Sequence, residues 1–180
     1  MKNSFYIILI VLLTAACSKS GKKRSLENEL ASNTKIINSY NNSENELYTV
    51  YKVIDGDTFY CTDQYNVEYK IRLIGLDTPE TRNRGKKKKG YYGEEAKEYL
   101  TNLILHKNVK LEFDLDKYDQ YNRVLAYVYL PDNNFVNAML IENGYARIMT
   151  IQPNSKYSDL FYKLQQEARA AKKGIWEIEL

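Results

Sequence analysis

From Leu47 onward the apolar positions follow two different periods. In Leu47 to Ile54, Thr58 to Thr62 and Val67 to Leu76, β-branched and aromatic residues are dense and polar ones interleave with them, which is the pattern of strands. The Asp55-Gly56-Asp57 turn joins the first two runs and Asp63 to Asn66 supplies the next turn, so the spacing predicts a three-stranded meander. Ala96, Tyr99, Leu100, Leu103 and Ile104 then recur at i, i+3, i+4, i+7 and i+8 behind Glu94 and Glu95, giving a helix with one apolar face and an acidic first turn. Val109 to Phe113 and Val124 to Leu130 read as two more strands across the polar Asp114 to Asn122. Asn134 is placed to cap a short helix that runs to Asn143 and stops at Gly144. Tyr157, Leu160, Phe161, Leu164 and Ala168 stripe a longer helix ended by Gly174, with Trp176 packing back on the domain. Five strands, one helix between the third and fourth, and two after the fifth predict an α+β, OB-type five-stranded β-barrel with three helices.

The stretch before Leu47 has neither period. Lys2 precedes an apolar or small run, Phe5 to Ala16, that is too short to span a bilayer, and Cys17 follows two alanines. Leu13-Thr14-Ala15-Ala16-Cys17 resembles a bacterial lipobox, departing from it at Thr14 where leucine is usual. Residues 1–17 therefore read as a lipoprotein signal peptide with Cys17 as the lipid-attachment residue, although an ordinary secretory peptide fits the same run. Residues 18–46 are polar and lack the apolar surface to offset ordering entropy, so they read as a flexible tether to a domain at 47–180. The expected location is the bacterial cell envelope, anchored and facing periplasm or exterior, or secreted where lipidation fails. A lipid on Cys17 leaves Cys61 without a disulfide partner, so the folded part must rely on its core.

Charge adds one local feature. The net charge of +3 is too small to mark a nucleic-acid binder on its own. Arg82, Arg84, Lys86, Lys87, Lys88 and Lys89, however, place six positive charges within eight positions. Such runs are usually solvated, but this one directly follows Glu80 and is flanked by Gly85 and Gly90, which suits contact with a polyanion. His106, the only histidine, lies at a helix end with no acidic or cysteine partner in a recognisable pattern.

Three segments carry candidate chemistry: Val53 to Thr58 (VIDGDT), Ile71 to Thr81 (IRLIGLDTPET) and Asp119 to Tyr129 (DQYNRVLAYVY). Cleaving a phosphodiester asks for positive charge or donors on the phosphorus centre, a group acting on water, and a track for polyanion. Asp57 and Asp77 are hard-oxygen ligands at strand ends, and two carboxylates leave waters, carbonyls or substrate to complete the shell of a calcium-like ion. Arg72 and Arg123 can each fork onto phosphate oxygens, and Glu80 can orient or deprotonate water. Each motif alone also fits a plain structural role, since Asp-Gly-Asp makes hairpin turns and Asp-Thr-Pro-Glu starts helices. Strict alternation puts Arg72 and Asp77 on opposite faces, so their convergence requires a bulge or bend, expected at Gly75.

With FVNAMLIENGYA and GIW following in order, these motifs resemble the staphylococcal (thermo)nuclease family over about Val50 to Glu177. The resemblance implies an OB-fold, calcium-dependent monomer that hydrolyses DNA and RNA to products ending in 3′-phosphate. By matching positions it implies calcium on the Asp57 and Asp77 side chains and the Thr78 backbone carbonyl, with Asp55 supporting that shell. It implies further that Arg72 and Arg123 hold the scissile phosphate, that Glu80 is the general base, and that Tyr121 lies near the bound nucleotide. The chain departs from the family at Gln120, where a lysine is usual. It departs again in Ile148 to Asn154, one residue shorter and showing Met149, Thr150, Ile151 and Gln152 where the family has tyrosines. The alternative class, a catalytically weak OB-fold nucleic-acid-binding lipoprotein, has no need of Asp57, Asp77, Arg72, Glu80 and Arg123 together.

Overall fold

The computed structural model describes residues 46–83 and 90–177. The strands are β1 (Leu47–Asp55), β2 (Thr58–Thr62), β3 (Glu68–Leu73), β4 (Gly75–Asp77), β5 (Asn108–Glu112), β6 (Val124–Tyr129) and β7 (Arg147–Met149). The helices are α1 (Gly93–Ile104), α2 (Val136–Glu142) and α3 (Ser158–Ala170), and a 3-10 turn follows at Gly174–Trp176. Strands β1-β2-β3-β6-β5 close into a barrel, with β5 pairing back onto β1. Every pairing in it is antiparallel except β3 with β6. That parallel pair needs a crossover, which α1 and β5 supply.

Alternation decides what fills the barrel. Phe59 and Cys61 of β2, Ile71 and Leu73 of β3, Val109 of β5 and Ala126 and Val128 of β6 are buried in one core. Leu100 and Ile104 of α1, Leu140 and Ile141 of α2 and Phe161 of α3 join the same cluster. Each large apolar side chain so buried contributes about 1.5–3 kcal/mol, and Phe59→Ala in this packing costs about 3–5 kcal/mol. The residues between them, Thr58, Tyr60, Lys70 and Arg72, lie on the outer side of the same strands, since successive side chains alternate faces.

The predicted third strand is two strands. Gly75 sits at φ +82° and breaks the run after Ile74, which lies outside both strands. Glycine is required twice over: the left-handed backbone disfavours a side chain, and a Cβ here would fall 2.4 Å from the Phe161 ring. Beyond the break, β4 leaves the barrel and pairs antiparallel with β7, a three-residue strand too short to show a period.

Helix α2 also differs from the sequence expectation. It starts at Val136 behind Phe135, without a side-chain cap. Asn134 instead donates its side-chain amide to Asp132 at 2.8 Å, and its carbonyl accepts the Leu130 N–H at 2.9 Å, closing the turn that ends β6 one residue early. Glu94 and Glu95 do occupy the first turn of α1, and Trp176 is buried with Ile175 and Ala168. Cys61 is a free, buried cysteine whose thiol burial pushes up to about 12. No helix among the described residues is long and apolar enough to cross a membrane. Cys17, the tether up to residue 45 and the basic positions Arg84 and Lys86 to Lys89 lie outside the described residues.

Candidate active site

The ends of β1, β2, β3 and β4, together with the segment before β6, surround one cleft of about 850 Å³. Asp55, Asp57, Arg72, Asp77, Thr78, Glu80, Tyr121 and Arg123 all line it. Arg82 is exposed and lies on the chain just after Glu80, away from the lining. The break at Gly75 brings the two predicted acids together: Arg72 Nη1 is 2.8 Å from Asp57 Oδ2 and its Nη2 is 3.0 Å from Asp77 Oδ1. A straight strand would have put Arg72 and Asp77 on opposite faces.

Asp57 is held from several sides. Thr58 Oγ1 donates to Asp57 Oδ1 at 2.8 Å, and the Thr78 N–H and Oγ1 donate to Oδ2 at 3.3 and 3.2 Å. The Asp57 and Arg72 side chains are 11% and 8% exposed, so the guanidinium would be costly without its acids. Asp55 accepts a 2.7 Å hydrogen bond from Thr81 Oγ1, which ties the turn after β1 to the segment that carries Glu80. The Glu80 backbone is fixed from behind, since its carbonyl accepts the Gly90 N–H at 2.9 Å. Gly93 packs so closely that a Cβ there would fall 2.5 Å from that carbonyl.

The second arginine is positioned by a residue the motif reading left without a role. Asp119 Oδ2 is 2.7 Å from Arg123 Nε, and Asp119 Oδ1 accepts the backbone N–H groups of Tyr121 and Arg123, both at 2.9 Å. Burial alone would raise the Asp119 carboxyl, but these donors and the guanidinium outweigh it and hold the carboxyl below its usual range. Arg123 Nη1 lies 3.5 Å from Thr58 Oγ1, so both arginines reach the end of β2. Tyr121 is 71% exposed, with its ring centroid 5.5 Å from the Arg123 guanidinium carbon. Asn154, buried, locks the far wall by two 2.8 Å bonds with the Asp116 backbone. Met149, Ile151, Gln152 and Gln120 line that side of the cleft.

A metal is implied by the sequence resemblance, and the donor set accommodates a hard cation. Among the described residues no group of three or more His, Cys, Asp or Glu gathers at one point. What the site offers is two carboxylates bridged by one guanidinium, with no thiolate or imidazole, a composition suited to calcium and unsuited to zinc. Asp57 and Asp77 are the side chains that would hold it.

A closed OB barrel carrying two arginines, two strand-end carboxylates and a glutamate in one cleft defines a nuclease-type site. Residues 70–178 match the family model described as staphylococcal nuclease homologue. The thermonuclease of Staphylococcus hyicus is 37% identical over 135 residues, covering 75% of this chain and 78% of its own length. The thermonuclease of Staphylococcus intermedius is 39% identical over 132 residues, covering 73% and 77%. The endonuclease YncB of Bacillus subtilis is 33% identical over 98% of this chain and 92% of its own. The chain belongs to the staphylococcal nuclease family, and it is a nuclease.

Proposed function

We propose that this protein is a calcium-dependent phosphodiesterase that cleaves DNA and RNA to products ending in 3′-phosphate, and that it works from the cell envelope. The observation that carries the reading is the convergence of Arg72 and Arg123 on the end of β2, with Asp57, Asp77 and Glu80 lining the same cleft. The two guanidiniums bind the scissile phosphate and offset the charge that grows on its oxygens as the fifth bond to phosphorus forms. Glu80 takes a proton from water; the oxygen attacks phosphorus, the bond to the 5′ oxygen breaks with its electron pair, and that oxygen takes a proton from solvent water to leave as a hydroxyl while Glu80 returns its proton to solvent. Asp57, Asp77 and the Thr78 carbonyl would hold calcium, which when bound would supply Lewis-acid polarisation of the phosphate.

Around this core, Tyr121 offers a ring beside the phosphate-binding Arg123, and Arg82, Arg84 and Lys86 to Lys89 supply charge for the polyanion. Cys17 carries the lipid, and residues 18–46 let the domain reach substrate as a monomer. The test is incubation of the purified protein with single-stranded DNA and with RNA, in calcium and in excess chelator. Cleavage of both, lost with chelator and leaving 3′-phosphate ends, supports the proposal; binding of oligonucleotide without hydrolysis in calcium sinks it in favour of a binding module.

A further inference from the structure

The outer face of the barrel carries one transverse row that meets the cleft only at one end, through Lys70. In register across three strands, Lys52 of β1 pairs with Tyr60 of β2, and Tyr60 pairs with Lys70 of β3. Both ammonium groups lie over the Tyr60 ring, Lys52 Nζ at 5.9 Å and Lys70 Nζ at 5.8 Å from its centroid. The β1 register shifts between Val50 and Lys52, so that Tyr51 and Lys52 are consecutive exposed residues. Tyr51 is thereby left beside Tyr60, the ring centroids 5.9 Å apart and the planes 35° from each other. The result is a pair of partly exposed aromatic rings flanked by two lysines.

The position of this row gives it meaning. The preceding row on the same face pairs Thr58 with Arg72, the residues on which the phosphate site is built. Alternate residues of a strand are about 7 Å apart, so Tyr60 and Lys70 stand one pleat beyond Thr58 and Arg72, about the reach of one extended nucleotide. Lys70 lines the cleft itself, so the two rows form one surface. In the next row Thr62 pairs with Glu68, and the positive charge ends there. Two ammoniums beside stackable rings, continuous with a phosphate site, have the chemistry of a single-strand track: cations follow the backbone and aromatic faces take bases of any sequence.

We propose that Lys52, Tyr60 and Lys70, with Tyr51 alongside, form an extended binding subsite for single-stranded polynucleotide, holding the next phosphate along the strand from the scissile one and the base that follows it. This rests on the nuclease reading above. It predicts that the protein distinguishes a long strand, whose next phosphate reaches the row, from a dinucleotide, whose single phosphate sits at the arginines of the cleft.

The experiment compares wild type, Lys52→Ala, Tyr60→Ala and Tyr60→Phe in the full-length protein. Two quantities are read: the ratio of kcat/KM for a single-stranded 20-mer to that for a dinucleotide, and the salt dependence of 20-mer binding by fluorescence anisotropy in chelator. Tyr60→Ala should lower the ratio about tenfold, whereas Tyr60→Phe, which keeps the ring, should stay near wild type. Lys52→Ala should reduce the slope of log affinity against log salt by about 0.7, the value for one phosphate contact on a single strand. Lys52 is exposed, so its removal leaves the core intact and this arm stands even where Tyr60→Ala fails to fold. An unchanged ratio with Tyr60→Ala, or an unchanged slope with Lys52→Ala, overturns the proposal. Wild-type protein that hydrolyses neither substrate defeats the nuclease reading instead, and the anisotropy slope then decides the subsite alone.

Discussion

Asp119 holds Arg123 at two points, gripping its guanidinium Nε at 2.7 Å with one carboxylate oxygen and its backbone N–H at 2.9 Å with the other. The side chain that lines the cleft and the turn that presents it are therefore set by the same carboxylate. Asp119→Asn keeps an acceptor for the backbone N–H groups but gives up the charge opposite the guanidinium. A displacement of about 1 Å in a positioned group costs about 10²-fold in rate. Steady-state kinetics of Asp119→Asn should show a loss of that order, accompanied by a lower thermal midpoint, since the ionised carboxylate also stabilises the fold. The pH dependence follows from the direction of the shift. A carboxyl held below its usual range contributes stability that is complete above the ordinary value of about 3.9 and is lost as pH falls through the lowered one. The Arg123 Nε–H resonance, followed by NMR, should hold its bonded position down to that range and move only below it.

Gly75 makes a second prediction. Its positive φ and the Phe161 ring 2.4 Å from where a Cβ would stand leave no room for a side chain. Gly75→Ala therefore combines backbone strain with overpacking, together about 2–4 kcal/mol. Because the bend also brings Asp77 to Arg72, activity should fall by more than unfolding accounts for. Denaturant unfolding and kinetics on the folded fraction of the same sample check both parts.

The third prediction concerns the anchor. If Cys17 is the lipid-attachment residue, Cys17→Ser should release the protein from membranes into the soluble fraction, with specific activity within about twofold of wild type, since Cys17 belongs to none of the residues that line the cleft. Fractionation followed by assay of the soluble protein measures both. Retention on membranes, or loss of activity on release, contradicts this arrangement.

Much of this structure was legible in the sequence, and what was hidden has a common cause. The five barrel strands and three helices announce themselves through alternation and the 3.6-residue stripe, because each buries one regular face. The convergence of Arg72 with Asp77 through a bend at Gly75 was foreseeable, since the motif made little sense on a straight strand. Strand β7 carries three residues, too few for a period, and exists because β4 offers it an edge. Asn134 has the chemistry of a cap, yet Asp132 and Leu130 take its side chain and its carbonyl. Asp119, Thr81 and Asn154 escaped because their work is to hold other parts in place, and only contacts distant in sequence or in the turn geometry reveal it. The Asp-x-x-x-Arg spacing just before a strand was the one local signal for Asp119.

The central claim is that Glu80 acts on water while Asp77 holds the metal, and a calcium titration of three proteins tests it most directly. Initial rates on a single-stranded oligonucleotide are measured for wild type, Glu80→Gln and Asp77→Ala over rising calcium, with a point in excess chelator. Wild type should lose activity in chelator. Asp77→Ala should need more calcium and recover part of its rate, because a missing ligand weakens binding without removing the base. Glu80→Gln should keep the wild-type calcium midpoint and fall by about 10²- to 10⁴-fold, beyond rescue at any concentration. Wild-type cleavage undiminished in chelator, or Glu80→Gln turning over at the wild-type rate, would contradict the account.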